Sequence, residues 1–216
     1  MSASALFDAI REGDLSRFQE IAVQDPSLLN AVAPSGHSVA RLAADSGQDA
    51  ICCWLAENLE PTDPFDMIAL ARPDLLHGLD PEQLLLARSF DGWSPLHLTA
   101  FYGRVNMVQW LIDQGASVTA LSANPTKNQP LHAAIAGACC EQTVDVLLAA
   151  DAPPDSRAAS DVTPLHLAAA RGNRAVVAKL LDAGADPAAT LSSGQTPAEL
   201  ARERDHAELA DWMTNR

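Results

Sequence analysis

The stretch DVTPLHLAA, residues 161–169, recurs in related form along the chain and indicates the architecture. Its central tetrapeptide returns in related form as SPLH at 94–97, QPLH at 129–132 and TPAE at 196–199. The four prolines are therefore 35, 34 and 33 residues apart. Self-similarity at such a period indicates a repeat architecture, in which each copy is one small unit that packs on its neighbours.

Each position of this repeat has a physical role in a pair of helices. Thr163 can cap the first helix through its hydroxyl, and Pro164 suits the first helical turn, where its missing N–H costs nothing. Leucines and alanines at 165–169 form an apolar stripe on which the next repeat can pack closely. Gly172 breaks the first helix so that a second, antiparallel helix can return, and Gly184 ends the second helix at a position that often requires a positive φ. The unit is therefore predicted to be two antiparallel helices followed by a turn.

This pattern resembles the ankyrin repeat, and the resemblance covers essentially the whole chain. The T-P-L-H-x-A motif and the 33-residue period are those of that family. The resemblance implies an all-α fold, an ankyrin-repeat solenoid of stacked helix–turn–helix units with projecting β-turn fingers. It also implies that His97, His132 and His166 each make a structural hydrogen bond from the first helix to the adjoining turn.

Two earlier repeats are degraded but traceable. GHSVARLAA at 36–44 aligns with GWSPLHLTA at 92–100 at a constant offset of 56, and Trp54 then falls on Trp110. A shortened third repeat carries Pro73 where a helix should turn or continue, so we expect the weakest joint of the stack there. We predict a single ankyrin-repeat domain over 1–216 with these approximate units: an amino-terminal cap at 3–34, repeats at 35–62, 63–90, 91–123, 124–157 and 158–190, and a carboxy-terminal cap at 191–216.

Composition and charge narrow the functions that this chain can have. The 216 residues are 48% hydrophobic, which excludes general disorder. The sequence contains no run of about 18 apolar residues, so no membrane span is predicted. The formal net charge of -14 repels phosphate backbones and anionic lipids, so neither nucleic acid nor membrane is an expected partner. A basic surface on a protein partner would be attracted, although acidity often serves solubility alone.

The sequence has no constellation typical of catalysis or metal binding. It lacks a G-x-S-x-G elbow, a phosphate-binding loop that ends in Gly-Lys, an H-E-x-x-H pair and zinc-spaced cysteines. The cysteines form two adjacent pairs, Cys52–Cys53 and Cys139–Cys140, which we expect to be reduced and partly buried. We therefore predict no catalytic residue, no metal and no cofactor, with an enzyme site at the irregular third repeat as a minor alternative.

Solvent-facing positions of the repeat indicate where a partner would bind. The resemblance places them two residues before each motif proline, in the finger turns, and in the two residues before the glycine that separates the helices. The finger positions are His37, Trp93, Asn128, Val162 and Gln195, and the helix positions are Asp45–Ser46, Phe101–Tyr102, Ala136–Gly137, Ala170–Arg171 and Glu203–Arg204. From these we take nine candidate partner-binding residues: His37, Asp45, Trp93, Phe101, Tyr102, Asn128, Val162, Arg171 and Gln195.

Trp93, Phe101 and Tyr102 place three aromatic side chains on the fourth repeat of a chain that is only 5% aromatic. Exposed aromatics commonly anchor protein interfaces. Alternatively, these rings cover the shortened third repeat and serve packing. The turn from Leu121 to Gln129 contains two extra residues and is either a recognition finger or a tolerated insertion.

These observations predict a non-enzymatic module that binds a protein partner through its concave face and finger turns, as an adaptor, inhibitor or neutralising regulator. The start MSASALFDAI has no cationic segment followed by an apolar stretch, so we expect a cytoplasmic protein. We also predict that the protein is a monomer. Arginine outnumbers lysine by 12 to 2, which is typical of a GC-rich bacterial genome. The alternative is a translocated bacterial effector that binds a host protein.

Overall fold

The computed structural model describes residues 2–138 and 141–215, and within these ranges the chain is helical with no β-strand. The all-α fold predicted from the sequence is confirmed. The described residues divide after Asp91 into two compact units. Cys139 and Cys140 lie outside the described residues, so the prediction for that pair stays a prediction.

The amino-terminal unit contains two helix pairs followed by three short helices. The pairs are α1 (Ala3–Glu12) with α2 (Leu15–Gln24) and α3 (Val39–Asp45) with α4 (Asp49–Asn58), and the short helices are α5 (Pro64–Ala69), α6 (Pro73–Leu76) and α7 (Pro81–Leu86). Pro73 and Pro81 occupy the first turn of α6 and α7, because proline cannot donate the hydrogen bond that a helix interior requires. The third predicted repeat therefore has three helices of four to six residues instead of one pair.

The carboxy-terminal unit contains four regular helix pairs. They are α8 (Pro95–Phe101) with α9 (Val105–Asp113), α10 (Pro130–Ala136) with α11 (Glu141–Ala149), α12 (Pro164–Ala170) with α13 (Arg174–Asp182), and α14 (Pro197–Glu203) with α15 (Ala207–Thr214). The first helices pack in the order α8, α10, α12, α14, and α11 packs between α9 and α13. One pair falls within each predicted repeat of this unit, while the repeat boundaries themselves remain predictions.

The apolar stripe predicted for the first helices forms the core of the carboxy-terminal unit. Leu165, Ala168 and Ala169 have no exposed surface, and the equivalent leucines and alanines of α8 and α10 are buried as well. In the amino-terminal unit, the edge of Trp54 meets the buried ring of Phe18 at a centroid distance of 5.5 Å. Trp54, Trp110 and Trp212 lie on second helices and are all half-buried.

Buried histidines connect consecutive repeats of the carboxy-terminal unit. The Nε2 atoms of His97, His132 and His166 lie 3.0, 3.0 and 3.2 Å from the carbonyl oxygens of Asn128, Val162 and Gln195, respectively. The N–H groups of Gln129 and Thr163 donate to Nδ1 of His132 and His166, so in these two rings Nε2 must carry the proton. The predicted structural role of the motif histidines is confirmed.

The described residues contain no helix that is long and apolar enough to cross a membrane. In residues 2–138 and 141–215, no group of His, Cys, Asp and Glu side chains could hold a metal ion. Cys52 is buried and Cys53 is exposed, and within the described residues neither forms a disulfide bond.

Candidate binding surface

A hydrogen bond onto the carbonyl of the predicted finger residue closes each of four finger turns. The pairs, from N–H to carbonyl oxygen, are Ala33 to His37 at 2.8 Å, Ser122 to Asn128 at 2.9 Å, Ala158 to Val162 at 2.8 Å and Leu191 to Gln195 at 2.9 Å. Three of these turns span five residues, whereas the turn at 122–128 spans seven. The two extra residues predicted between 121 and 129 therefore widen a finger without breaking its closing bond.

The side chain of Asn124 orders the widened finger. Its Oδ1 accepts hydrogen bonds from the hydroxyl of Ser122 at 2.8 Å and from the N–H of Thr126 at 3.1 Å. The Ser122 hydroxyl in turn accepts from the N–H of Asn128 at 3.1 Å. Leu121, at the start of the finger, leaves 53% of its surface exposed. Whether this finger recognises a partner stays a prediction.

Trp93, Phe101 and Tyr102 form a continuous aromatic row in the carboxy-terminal unit. The ring centroids of Trp93 and Phe101 are 5.2 Å apart at an interplanar angle of 75°, and those of Phe101 and Tyr102 are 5.5 Å apart at 72°. Such edge-to-face contacts hold aromatic rings in fixed relative positions. All three side chains are half-buried, so the aromatic row keeps part of its surface in solvent.

The end of α10 lies against the aromatic row and carries no side chain there. The N–H of Ala138 donates to the carbonyl oxygen of Phe101 at 2.8 Å, and a Cβ added at Gly137 would lie 2.0 Å from that same oxygen. Gly137, which is predicted from the sequence to face solvent, also contacts the backbone of Phe101. Gly137 is half-buried and allows the close approach of two backbones, which no larger residue would permit.

Arg171 extends this surface across the next repeat. Its guanidinium donates to the carbonyl oxygens of Ala136 at 2.7 Å and of Gly137 at 3.0 Å, which lie at the carboxy-terminal end of α10. Helix-end carbonyls lack intrahelical partners, and a cation there is favourable. Arg171 is nevertheless exposed.

Finger and helix positions of one repeat meet side by side. Nε2 of Gln195 donates to Oε2 of Glu203 at 2.5 Å in the carboxy-terminal unit, and Nε2 of His37 lies 3.2 Å from Oδ2 of Asp45 in the amino-terminal unit. Both pairs are eight residues apart, as are Trp93 and Phe101. All nine candidate residues are half-buried or exposed, so none is withdrawn from solvent.

Sequence reasoning missed a cavity in the amino-terminal unit. This charged cavity has a volume of about 390 Å³, and its lining includes Arg41 and Asp66. Both residues stand three positions after a helix-capping residue, Ser38 or Asp63, which is the place that histidine takes in the regular repeats. The replacement of the motif histidine by a charged residue was the signal in the sequence.

Ion pairs and hydrogen bonds hold the side chains of the charged cavity. Arg41, which is 5% exposed, places Nη2 at 3.4 Å from Oδ2 of Asp91 and at 3.8 Å from Oδ2 of Asp45. The hydroxyl of Ser38 donates to Oδ1 of Asp66 at 2.5 Å. Burial raises the pKa of the Asp66 carboxyl, and the Ser38 hydrogen bond and the charge of Arg41 offset that rise only in part.

Comparison with known proteins identifies the same repeat over most of the chain. A family model of ankyrin repeats in three copies matches residues 42–158, and a model of ankyrin repeats in many copies matches residues 147–201.

Three curated relatives contain a region similar to this chain within a longer protein. The Arabidopsis thaliana protein named "Putative E3 ubiquitin-protein ligase XBAT31" is 30% identical over 205 residues, which cover 89% of this chain and 40% of the relative. Tyrosine-protein kinase Shark of Drosophila melanogaster is 32% identical over 60% of this chain and 14% of its own length. The nuclear factor NF-kappa-B p105 subunit of Gallus gallus is 30% identical over 74% of this chain and 14% of its own length. The chain therefore spans at most 40% of these relatives.

Proposed function

This chain belongs to the ankyrin-repeat family, and we propose that its role is to bind a protein partner through its finger turns and first helices. Ankyrin repeats are protein–protein interaction modules, and the diversity of the relatives leaves the partner to be identified by the surface of this chain. We further propose a monomer that acts without catalysis in the bacterial cytoplasm, as an adaptor, inhibitor or neutralising regulator.

The observation that carries this proposal is the aromatic row. Tryptophan and tyrosine are enriched among the residues that dominate binding energy, because large rigid rings bury much apolar surface at little cost in conformational entropy. Trp93, Phe101 and Tyr102 are already held against one another, so little ordering is needed on binding.

Charge supports a partner with a basic surface. The net charge of -14 attracts such a protein over long range and accelerates its association at low ionic strength. Glu203 and Asp45 lie at finger-facing positions and contribute to this field in their respective units. We expect no nucleic acid and no membrane among the partners, because both carry the same sign of charge as this chain.

The experiment is an affinity purification of the tagged protein from its native cytosol, compared with the variant Trp93→Ala/Phe101→Ala/Tyr102→Ala. We expect the parent protein to retain a stoichiometric partner and the variant to lose it while its melting temperature changes by only a few degrees. Salt-sensitive retention would support the basic character of the partner.

Two controls separate binding from packing. Val23→Ala/Leu86→Ala removes two exposed apolar side chains elsewhere, with exposed fractions of 72% and 79%, and should keep the partner. Tyr102→Arg leaves two rings of the aromatic row in place and should still weaken capture of a basic protein. Full retention of the partner by a folded triple variant would contradict the proposal, and a sharp loss of melting temperature would assign the aromatic row to packing.

A further inference from the structure

The charged cavity arises where the histidine bridges of the regular repeats are replaced. In the fourth repeat, the hydroxyl of Ser94 pairs with Nδ1 of His97 at 2.7 Å. In the second repeat, the equivalent hydroxyl of Ser38 instead donates to Asp66 of the following repeat. Arg41, which takes the place of the histidine there, reaches towards Asp91. The cavity of about 390 Å³ remains between these redirected side chains.

The positive charges that line the cavity are already engaged. Arg41 is paired with Asp45 and Asp91. The guanidinium of Arg88 donates to the carbonyl oxygens of Leu85 and Ala87, at 3.2 and 2.6 Å. An anionic ligand would therefore have to compete with partners that both arginines already have.

The negative charges that line the cavity are in excess and have capacity to spare. The carboxylates of Glu60, Asp63 and Asp66 all contribute to the lining. Asp63 uses Oδ1 to accept the N–H of Phe65, and Asp66 uses Oδ1 to accept the hydroxyl of Ser38. A carboxylate can accept several hydrogen bonds, so both groups can take further donors from a ligand.

An exposed aromatic ring borders the cavity. Phe90 lines it and leaves 58% of its surface in solvent, and Val32, also in the lining, is 64% exposed. The ring of Phe90 makes an edge-to-face contact with the ring of His37, at a centroid distance of 4.7 Å, and packs against Gly36, where an added Cβ would lie 2.6 Å from the Phe90 ring. The charged cavity therefore combines carboxylates inside with a positioned aromatic surface outside.

We propose that the charged cavity receives an arginine side chain of the protein partner, with the guanidinium at Asp63 and Asp66 and the aliphatic stem against Phe90. This inference rests on the proposed function and adds a second contact region, in the amino-terminal unit. Arginine fits better than lysine because its planar fork has several donors and can pair with two carboxylates at once. The volume is within the range of small-ligand sites, and a guanidinium would offset the cost of the buried Asp66 carboxylate.

The test is an NMR titration of the ¹⁵N-labelled chain of 216 residues with N-acetylarginine amide as the probe. N-acetylcitrulline amide has nearly the same shape without the charge and is the matched control, and N-acetyllysine amide tests the choice of cation. We expect saturable shifts confined to residues 36–41, 60–66 and 88–91, with citrulline bound at least about tenfold more weakly. Equal binding of citrulline, or shifts scattered over the acidic surface, would overturn the inference.

Paired variants test the assignment of the two carboxylates. Asp63→Asn/Asp66→Asn keeps side-chain oxygens that can accept hydrogen bonds from Phe65 and Ser38. Asparagine at position 63 is also a good helix cap. We expect this variant to bind the arginine probe at least about tenfold more weakly. Glu57→Gln/Glu82→Gln removes the same charge from exposed positions and should leave the affinity unchanged. Equal weakening by both pairs would assign binding to overall acidity. The titration needs no partner, so its failure is distinct from failure of the purification on the aromatic row.

Discussion

The buried histidines show how a single residue can tie two repeats together. His132 and His166 are at most 1% exposed, and each accepts a hydrogen bond at Nδ1 while Nε2 reaches the carbonyl of the next finger residue. A second proton would occupy the accepting nitrogen and place a charge in the core. Burial accordingly lowers the pKa of both imidazoles.

Stability should therefore fall as the pH is lowered. The folded protein binds fewer protons at His132 and His166 than the unfolded chain, whose histidines have a pKa of about 6.5, so their contribution is lost as the pH drops below about 6.5. We expect the free energy of unfolding in urea to decrease between pH 7.5 and 5.5, and to decrease less in His132→Asn. Asp66, with its raised pKa, is present in both proteins and cancels in this comparison. Parallel pH profiles of the two proteins would contradict the prediction.

A short motif at the start of α14 caps this helix. In α14, the hydroxyl of Thr196 accepts the N–H of Glu199 at 3.3 Å, and Oε2 of Glu199 accepts the N–H of Thr196 at 2.8 Å. Here Glu199 takes the place of the motif histidine and completes a capping box, which satisfies two backbone donors at once. The N–H and hydroxyl of Thr196 lower the pKa of the Glu199 carboxyl.

The variant Thr196→Ala removes this cap and should lower the free energy of unfolding by about 1 kcal/mol. Thr196→Ser keeps the hydroxyl and is the matched control, for which we expect a smaller loss. Urea denaturation followed by circular dichroism measures both. A Thr196→Ala variant as stable as Thr196→Ser would show that the hydroxyl makes no net contribution to α14.

Stability should be unevenly distributed over the whole molecule. Of the short helices of the third predicted repeat, α6 and α7 each bury a single residue, whereas α12 buries five. Repeats interact mainly with their neighbours, so local openings are not suppressed by the rest of the chain. Segments with few buried apolar contacts open most readily.

Hydrogen–deuterium exchange followed by mass spectrometry should reveal this difference within one protein. We expect amides of α6 and α7 to be protected at least about tenfold less than amides of α12 and α13, which corresponds to about 1.4 kcal/mol of opening free energy. Helices α1 and α2, of ten residues each, serve as the internal control within the amino-terminal unit. Uniform protection across all these helices would contradict a weak third repeat.

Four features could be predicted from the sequence alone: the helix pairs of the regular repeats, the proline-started first helices, the apolar stripes and the histidine bridges. These features follow from local chemistry that returns at a fixed period, so a motif such as residues 163–169 identifies them wherever it occurs. The sequence also located the two extra residues of the finger between 121 and 129, because a turn that lengthens shifts the period.

Only the tertiary structure decided the details of the surfaces. Gly137 meets the carbonyl of Phe101, Arg171 reaches the end of α10, and Arg41 and Asp66 line one cavity. Each of these contacts joins residues roughly one repeat apart, and their separation in space depends on how far one helix pair is displaced from the next. Periodicity reveals which side chains recur, but distances of a few ångströms between repeats arise from packing, and binding depends on those distances.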